Sequence, residues 1–235
     1  RELGPAIGAA GAILHYLETQ LRRSIAHLRT LQTYQTSTYV LIDSASQANL
    51  DLVTSRSGET KASLLGAMDR TATPMGGRKL RNWVLHPIRD LEKLVARQER
   101  VGSLVRESFL LNQIRSALAE VHDMERTISR LSQGSGNARD LKALEMSLRR
   151  LPEIREHLAA FNNEGVTNEL IDRIGIFTDL VDLLGRAITE EPPAPLKEGG
   201  LFAEGYSSAI DELRRAANEG KQWVAELQAK EQERT

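Results

Sequence analysis

Cysteine is absent from all 235 residues, which excludes disulfides and thiolate metal sites and fits a reducing, cytoplasmic setting. Aromatic residues make up only 4% of the chain, so there is little material for stacking nucleic-acid bases. Neither sign of charge dominates: 31 basic and 32 acidic residues leave a formal net charge of -1. A nonspecific polyanion binder driven by bulk charge is therefore excluded, although local contacts are not. No apolar run approaches the roughly 20 residues a membrane span needs, and the opening Arg1-Glu2-Leu3-Gly4 is not a signal peptide.

What is present reads as helix. Leu, Ala, Arg and Glu are abundant, and these side chains keep most of their rotamer freedom in a helix. Ile7, Ala10, Leu14, Leu17 and Leu21 step by three and four, which predicts a first helix with a narrow apolar stripe. Thr38–Asp43 and Asn49–Val53 are short β-favouring runs, predicted to pair as a small hairpin-like element. From Ser63 the helical period returns. Asp90 and Ser108 are candidate N-caps. Asn137 is another, ahead of Leu141, Leu144, Leu148 and Leu151 at heptad spacing, with Pro152 ending or kinking that helix. Further helices are predicted over Thr167–Ile174 and Phe177–Ile188. Glu190–Gly200 reads as a linker in which Gly199-Gly200 turns a short hairpin. Ser207 then caps a helix of about 28 residues, about 42 Å long at 1.5 Å per residue, with Ile210, Leu213, Ala217, Val224 and Leu227 along one seam. It shows no stop signal, so the chain is expected to be a segment of a longer protein. The predicted class is all-α: a multi-helix core over residues 1–200, a protruding lever helix over 201–235, and a minor β element.

The stretch Asp69–Asp90, DRTATPMGGRKLRNWVLHPIRD, poses the main chemical question. Its Thr-Pro-x-Gly-Gly-Arg-Lys could cradle a phosphate or simply start a helix. A Walker A loop needs G-x-x-x-x-G-K-[ST], because backbone N–H groups must ring the phosphates. Here Lys79 is followed by Leu80 and the upstream glycine is missing. The helix start accounts for more: Thr73 as N-cap, Pro74 in the first turn, and Leu80, Trp83 and Val84 inward. His15, His27, His86, His122 and His157 lie on separate segments, without the paired Glu-x-x-His of di-iron bundles. Glu120, His122, Asp123 and Glu125 are spread around a helix and read as i,i+3 and i,i+4 pairs such as Asp123 with Arg126. No G-x-S-x-G elbow occurs. Arg70, Arg78, Lys79, Arg81, Arg89, Arg97 and Arg100 form a basic strip. It reads as a solvated or interdomain face rather than a DNA track, since aromatic residues hardly interleave it.

Beyond spacing, Ser63–Val101 closely resembles the core of the MutS family of DNA mismatch repair proteins. The family's pattern is a leucine pair, Asp-x-Thr-x-Thr-x-x-Gly, a basic-leucine helix ending in Trp-x-x-x-Pro, and an Arg-containing helix. The matching residues are Leu64, Leu65, Asp69, Thr71, Thr73, Pro74, Gly76, Arg78, Leu80, Trp83 and Pro87. Leu41–Leu52 is similar to the preceding family segment, with Ser46 where many members have threonine. VHDMERTISRL and NARDLKALEMSLRRLPEI resemble the next two core helices, and Leu183–Arg214 resembles the approach to the family's lever.

The resemblance implies a core and outgoing lever taken from an ATP-driven homodimer that clasps mismatched double-stranded DNA, cooperates with a MutL-type protein, and binds no membrane. ATP and Mg would be bound by the full-length protein, with no cofactor and no catalytic or metal-ligating residue expected in this segment. It further implies Thr73, Pro74, Arg78, Trp83, Asp123 and Arg126 as candidates for interdomain coupling, and Lys221, Lys230 and Arg234 as candidates for lying near DNA. A second reading is a helical scaffold of a MutS relative that acts on recombination intermediates.

Overall fold

The computed structural model describes residues 4–22, 24, 25, 28, 30, 31, 36–161 and 168–234, without the side chains of residues 36, 169 and 196 and of several positions in the last helix. Thr167 and His27, named above, lie outside the described residues. The chain divides into two units, Arg1–Tyr39 and Val40–Thr235.

In the first unit, α1 spans Gly4–Thr19 as the periodicity predicts, but buries none of its residues. Ile7 is 69% exposed, while Ala10, Leu14 and Leu17 of the predicted stripe are half-buried.

The second unit is helical, and the all-α expectation holds. Its helices are α2 (Ser44–Asn49), α3 (Leu64–Met68), α4 (Pro74–Leu85), α5 (Leu91–Arg106), α6 (Ser108–Ala119) and α7 (Met124–Ser132). After them come α8 (Ala138–Arg149), α9 (Leu151–Ala159), α10 (Asn168–Arg173), α11 (Thr178–Ala187) and α12 (Ser208–Arg234).

The hairpin predicted over residues 38–53 does not form. Asp43 accepts from the Ser46 N–H at 2.8 Å and from its hydroxyl at 3.0 Å, starting α2 in the middle of the run. Local side-chain capping of this kind outweighs β propensity, which depends on neighbours to pack against. The Asn49–Val53 run pairs instead with the start of α3. Leu64 and Leu65 N–H donate to the Asp51 and Leu52 carbonyls at 2.9 Å each, and Ser63 Oγ donates to Val53 O at 2.9 Å. This return brings the Thr60-Lys61 backbone hard against Gly66, where any Cβ would stand 2.7 Å from Lys61 Cα.

Most predicted helix starts are present. Asp90 caps α5 through the Lys93 N–H at 3.1 Å. Asn137 and Asp140 form a reciprocal capping box on α8. Ser108 does not cap α6; it is the first helical residue, and Glu107 at the cap position makes no side-chain cap bond. Pro152 falls in the first turn of α9, where a missing N–H costs nothing.

Among the described residues, two small apolar clusters hold the unit. Ala117, Val121 and Ile154 join α6 to α9, with Met75 of α4 and Met124 of α7 packed against them. Ala138, Ala187 and Ile188 join α8 to the end of α11, with Leu201 against them. The helix α8 lies between α7 and α11. Its buried residues are therefore Ala138, Asp140, Lys142, Glu145, Ser147 and Leu148 rather than the leucine heptad alone. The predicted turn at Gly199-Gly200 is present: both glycines have positive φ, +71° and +68°, a region open to residues without Cβ. An antiparallel bridge joins Ile188 to Phe202 across it.

Candidate functional site

The Asp69–Gly76 turn decides between phosphate loop and helix start. Asp69 Oδ1 accepts from the Thr71 N–H at 2.9 Å and the Thr71 hydroxyl at 2.7 Å. The N–H bond, then the hydroxyl, holds the Asp69 carboxyl below its ordinary pKa. Thr73 caps α4, its Oγ1 accepting from Gly76 N–H at 3.0 Å, with Pro74 next in the first turn. A Cβ on Gly76 would stand 3.1 Å from Thr73 Oγ1 and 3.3 Å from Thr71 Cβ. The Asp-x-Thr-x-Thr-x-x-Gly pattern thus builds its own helix cap, and the Thr71, Gly76 and Gly77 N–H donors that a phosphate would need are spent on the chain itself. Arg115 of α6 braces the turn by donating to Arg70 O at 2.6 Å.

One turn into α4, Arg78 reaches across to the start of α7. Its Nη1 and Nη2 donate to the two Asp123 carboxylate oxygens at 2.6 and 2.7 Å, and Nε donates to Glu125 at 3.1 Å. Two parallel N–H bonds from a planar fork fix orientation as well as distance. Asp123 also caps α7, accepting from Arg126 N–H at 3.3 Å, and the Arg126 side chain lies 3.6 Å away. The Arg78 bonds, chiefly, hold the Asp123 carboxyl at about 2 against an ordinary 3.8. The Asp123 side chain is 17% exposed and that of Glu125 is 67% exposed. Asp123 is therefore the stronger partner, since exposed ion pairs contribute little.

At the far end of α4, Trp83 is not an inward residue. It is 38% exposed, and the Arg97 guanidinium of α5 lies over its ring, 3.7 Å from the centroid. Lys79 Nζ is 5.9 Å from the same ring. The basic strip is thereby divided: Arg78 is bound by carboxylates and Arg97 by an indole. Of the nine candidate residues, Arg78, Asp123 and Arg126 meet in one cluster. Thr73, Pro74 and Trp83 lie along the same helix. The other three are remote from it in sequence, on α12.

The family pattern described as MutS domain III matches residues 45–234. The chain belongs to that family. Three relatives share the name DNA mismatch repair protein MutS. The protein from Symbiobacterium thermophilum is 44% identical over 100% of this chain and 27% of its own length. That from Halothermothrix orenii is 42% identical over 98% and 26%. That from Methanosarcina barkeri is 36% identical over 98% and 26%. The chain thus spans about a quarter of the length of these relatives.

This MutS domain III chain carries a second polar cluster that spacing did not reveal. On α8, Glu145 is 1% exposed and Lys142 7% exposed. Lys142 Nζ lies 3.3 Å from Glu145 and 2.9 Å from Glu190, and Arg149 pairs with Glu145 from the next turn. Burial pushes the Lys142 ammonium down, but the Glu190 bond and the Glu145 charge outweigh it and hold the group above the ordinary lysine value. Ser147, fully buried, donates to Ala143 O at 2.7 Å and accepts from the His122 N–H at 3.0 Å. Arg130 of α7 pairs with Asp140 of α8. The available sequence signal was Asp140, Lys142 and Glu145 interleaved with Leu141, Leu144 and Leu148, which marks a helix covered on more than one side.

From Ser208 to Arg234, α12 is continuous for 27 residues, about 40 Å at 1.5 Å per residue. Lys221, Lys230 and Arg234 lie on this helix, with their side chains outside the described residues. Leu213 is 72% exposed and Val224 56% exposed. No helix among the described residues is long and apolar enough to cross a membrane.

Proposed function

We propose that this chain is the core and outgoing lever of a MutS-type mismatch repair protein, with core and lever meeting near residue 200, and that it transmits motion rather than performing chemistry. The observation that carries the reading is the Arg78 clasp: bidentate to Asp123, it ties the capped start of α4 to the capped start of α7. Elements joined at their starts by oriented bonds tend to move together, and a continuous helix carries such a displacement along its length. The clasp and α12 are proposed as two ends of one train, with Thr73, Pro74, Trp83 and Arg126 setting the geometry of the first.

On this reading ATP and Mg are bound elsewhere in a longer homodimeric protein that engages mismatched double-stranded DNA and a MutL-type partner in the cytoplasm. Lys221, Lys230 and Arg234 lie toward the end of α12 that would approach DNA phosphates. The mismatch-repair name shared by the relatives favours this over a role on recombination intermediates. The test places Val224→Pro in the longer protein, because proline breaks a helix interior by about 3 kcal/mol. We expect ATP-dependent release of mismatched DNA to slow at least about tenfold, a barrier change of about 1.4 kcal/mol. Release at the parent rate would sink the reading.

A further inference from the structure

Glu190–Gly200, between α11 and α12, reads in sequence as a linker, yet the structure bonds down its start and the residues that flank it. Thr189 N–H donates to Leu201 O at 3.1 Å and Ala203 N–H to Ala187 O at 2.9 Å. Arg139 Nε of α8 donates to Pro192 O at 2.9 Å, and Pro192 is buried. At the α12 end, Arg214 donates to Phe202 O at 3.0 Å, and Asp211 accepts from Gly205 N–H at 2.9 Å. Phe202 and Tyr206 stack with centroids 5.7 Å apart. The segment is a strap whose two ends are tied to each other, to α11 and to α12, and which meets α8 at Pro192 near its start.

We infer that this strap is a latch, closed by Lys142, which fixes how α12 leaves the core. The inference rests on the coupling role proposed above and names where that coupling is held or released. The Lys142 ammonium, 9% exposed, lies between Glu145 of its own helix and Glu190 of the strap, while Arg149, 63% exposed, meets Glu145 from the solvent side. Docking the strap therefore gives a buried ammonium a second carboxylate partner, and undocking takes that partner away. The Glu190 side chain is 87% exposed, so it is the member that can leave. A groove of about 520 Å³ lined by His122, Arg139, Lys142, Met146 and Pro193 runs beside the strap. Beside Glu190, then, close packing does not seal the strap and polar bonds hold it, while Ile188 and Leu201 pack its base against Ala138.

The test uses the 235-residue chain alone, with no ATP or DNA, so its failure leaves the coupling reading to the release assay in the longer protein. Amide exchange at Thr189 and Ala203 reports strap opening, and exchange at Thr127 reports the α7 core. In Lys142→Met we expect the two strap amides to exchange at least about tenfold faster with Thr127 unchanged. Glu190→Gln, which alters only an exposed carboxylate and is not expected to impair folding, should shift the same amides about threefold. Raising salt from about 0.05 to about 0.5 M should accelerate them in the parent and not in Glu190→Gln, because screening acts on the charge that is already gone. Strap amides in Glu190→Gln that match the parent at low salt would overturn the latch, whether or not Lys142→Met folds. Equal acceleration of Thr127 in Glu190→Gln would do so too.

Discussion

Replacing Gly66 with alanine sets two opposed effects against each other, and the structure decides which wins. Alanine in a helix is favoured over glycine by about 1 kcal/mol, so a reading based on propensity alone expects a more stable protein. At Gly66, however, an added Cβ runs into the Thr60 carbonyl oxygen and stands 2.7 Å from Lys61 Cα and 2.9 Å from Lys61 carbonyl carbon, where ordinary contact starts at 3.4 Å. All three are backbone atoms, and that backbone is held by the Leu64, Leu65 and Ser63 bonds to residues 51–53. It cannot rotate aside as a side chain would. Overpacking against such a wall costs about 3 kcal/mol, the upper part of the usual range. The net loss is then about 2 kcal/mol, a shift of about 4–8 °C in Tm for a unit of this size. Gly220 on α12 is the internal control: nothing lies within 4 Å of its Cβ position, so Gly220→Ala is expected to stabilise its helix by about 0.5–1 kcal/mol. Thermal melts followed by helical circular dichroism compare both variants with the parent. A Gly66→Ala protein that melts within a degree of the parent would refute the steric argument.

Two further predictions concern the caps and the clasp. Thr73→Ala should lower stability by about 1 kcal/mol, the usual value of a side-chain cap, whereas Thr73→Ser should be nearly silent because it keeps the acceptor; urea midpoints distinguish them. The Arg78 clasp makes the fold acid-sensitive. The Asp123 carboxyl titrates at about 2 in the folded chain against an ordinary 3.8. The folded state thus binds this proton less tightly than the unfolded state does. The stabilisation is present above about pH 4 and is lost as pH falls toward about 2. Asp123→Asn should flatten the fall in urea midpoint across that interval, and a slope equal to the parent's would contradict the assignment.

The helix starts were legible in the sequence because their causes are local. Thr73-Pro74, Asp90 and Asn137 each offer an acceptor to an N–H two or three residues on, and no distant residue is needed. Chain-distant partners were not legible. Arg78 and Asp123 are 45 residues apart, so the acidic cluster around Asp123 looked like a set of pairs on one helix. Ser147, Lys142 and Glu145 are buried because α7, α11 and the strap cover α8, and local spacing does not identify those partners. The β-favouring run at residues 49–53 failed for the same reason, because a strand needs a neighbour.

By itself, then, the sequence determined the all-α class, most helix boundaries, the Thr73-Pro74 helix start and the family resemblance. These follow from spacings of a few residues and from motifs in a preserved order. Only the tertiary structure decided which charges are buried, which cations are already engaged, and that the apparent linker is bonded to α8. Burial and charge pairing are properties of what surrounds a side chain, and those surroundings are assembled from parts of the chain that no local pattern connects.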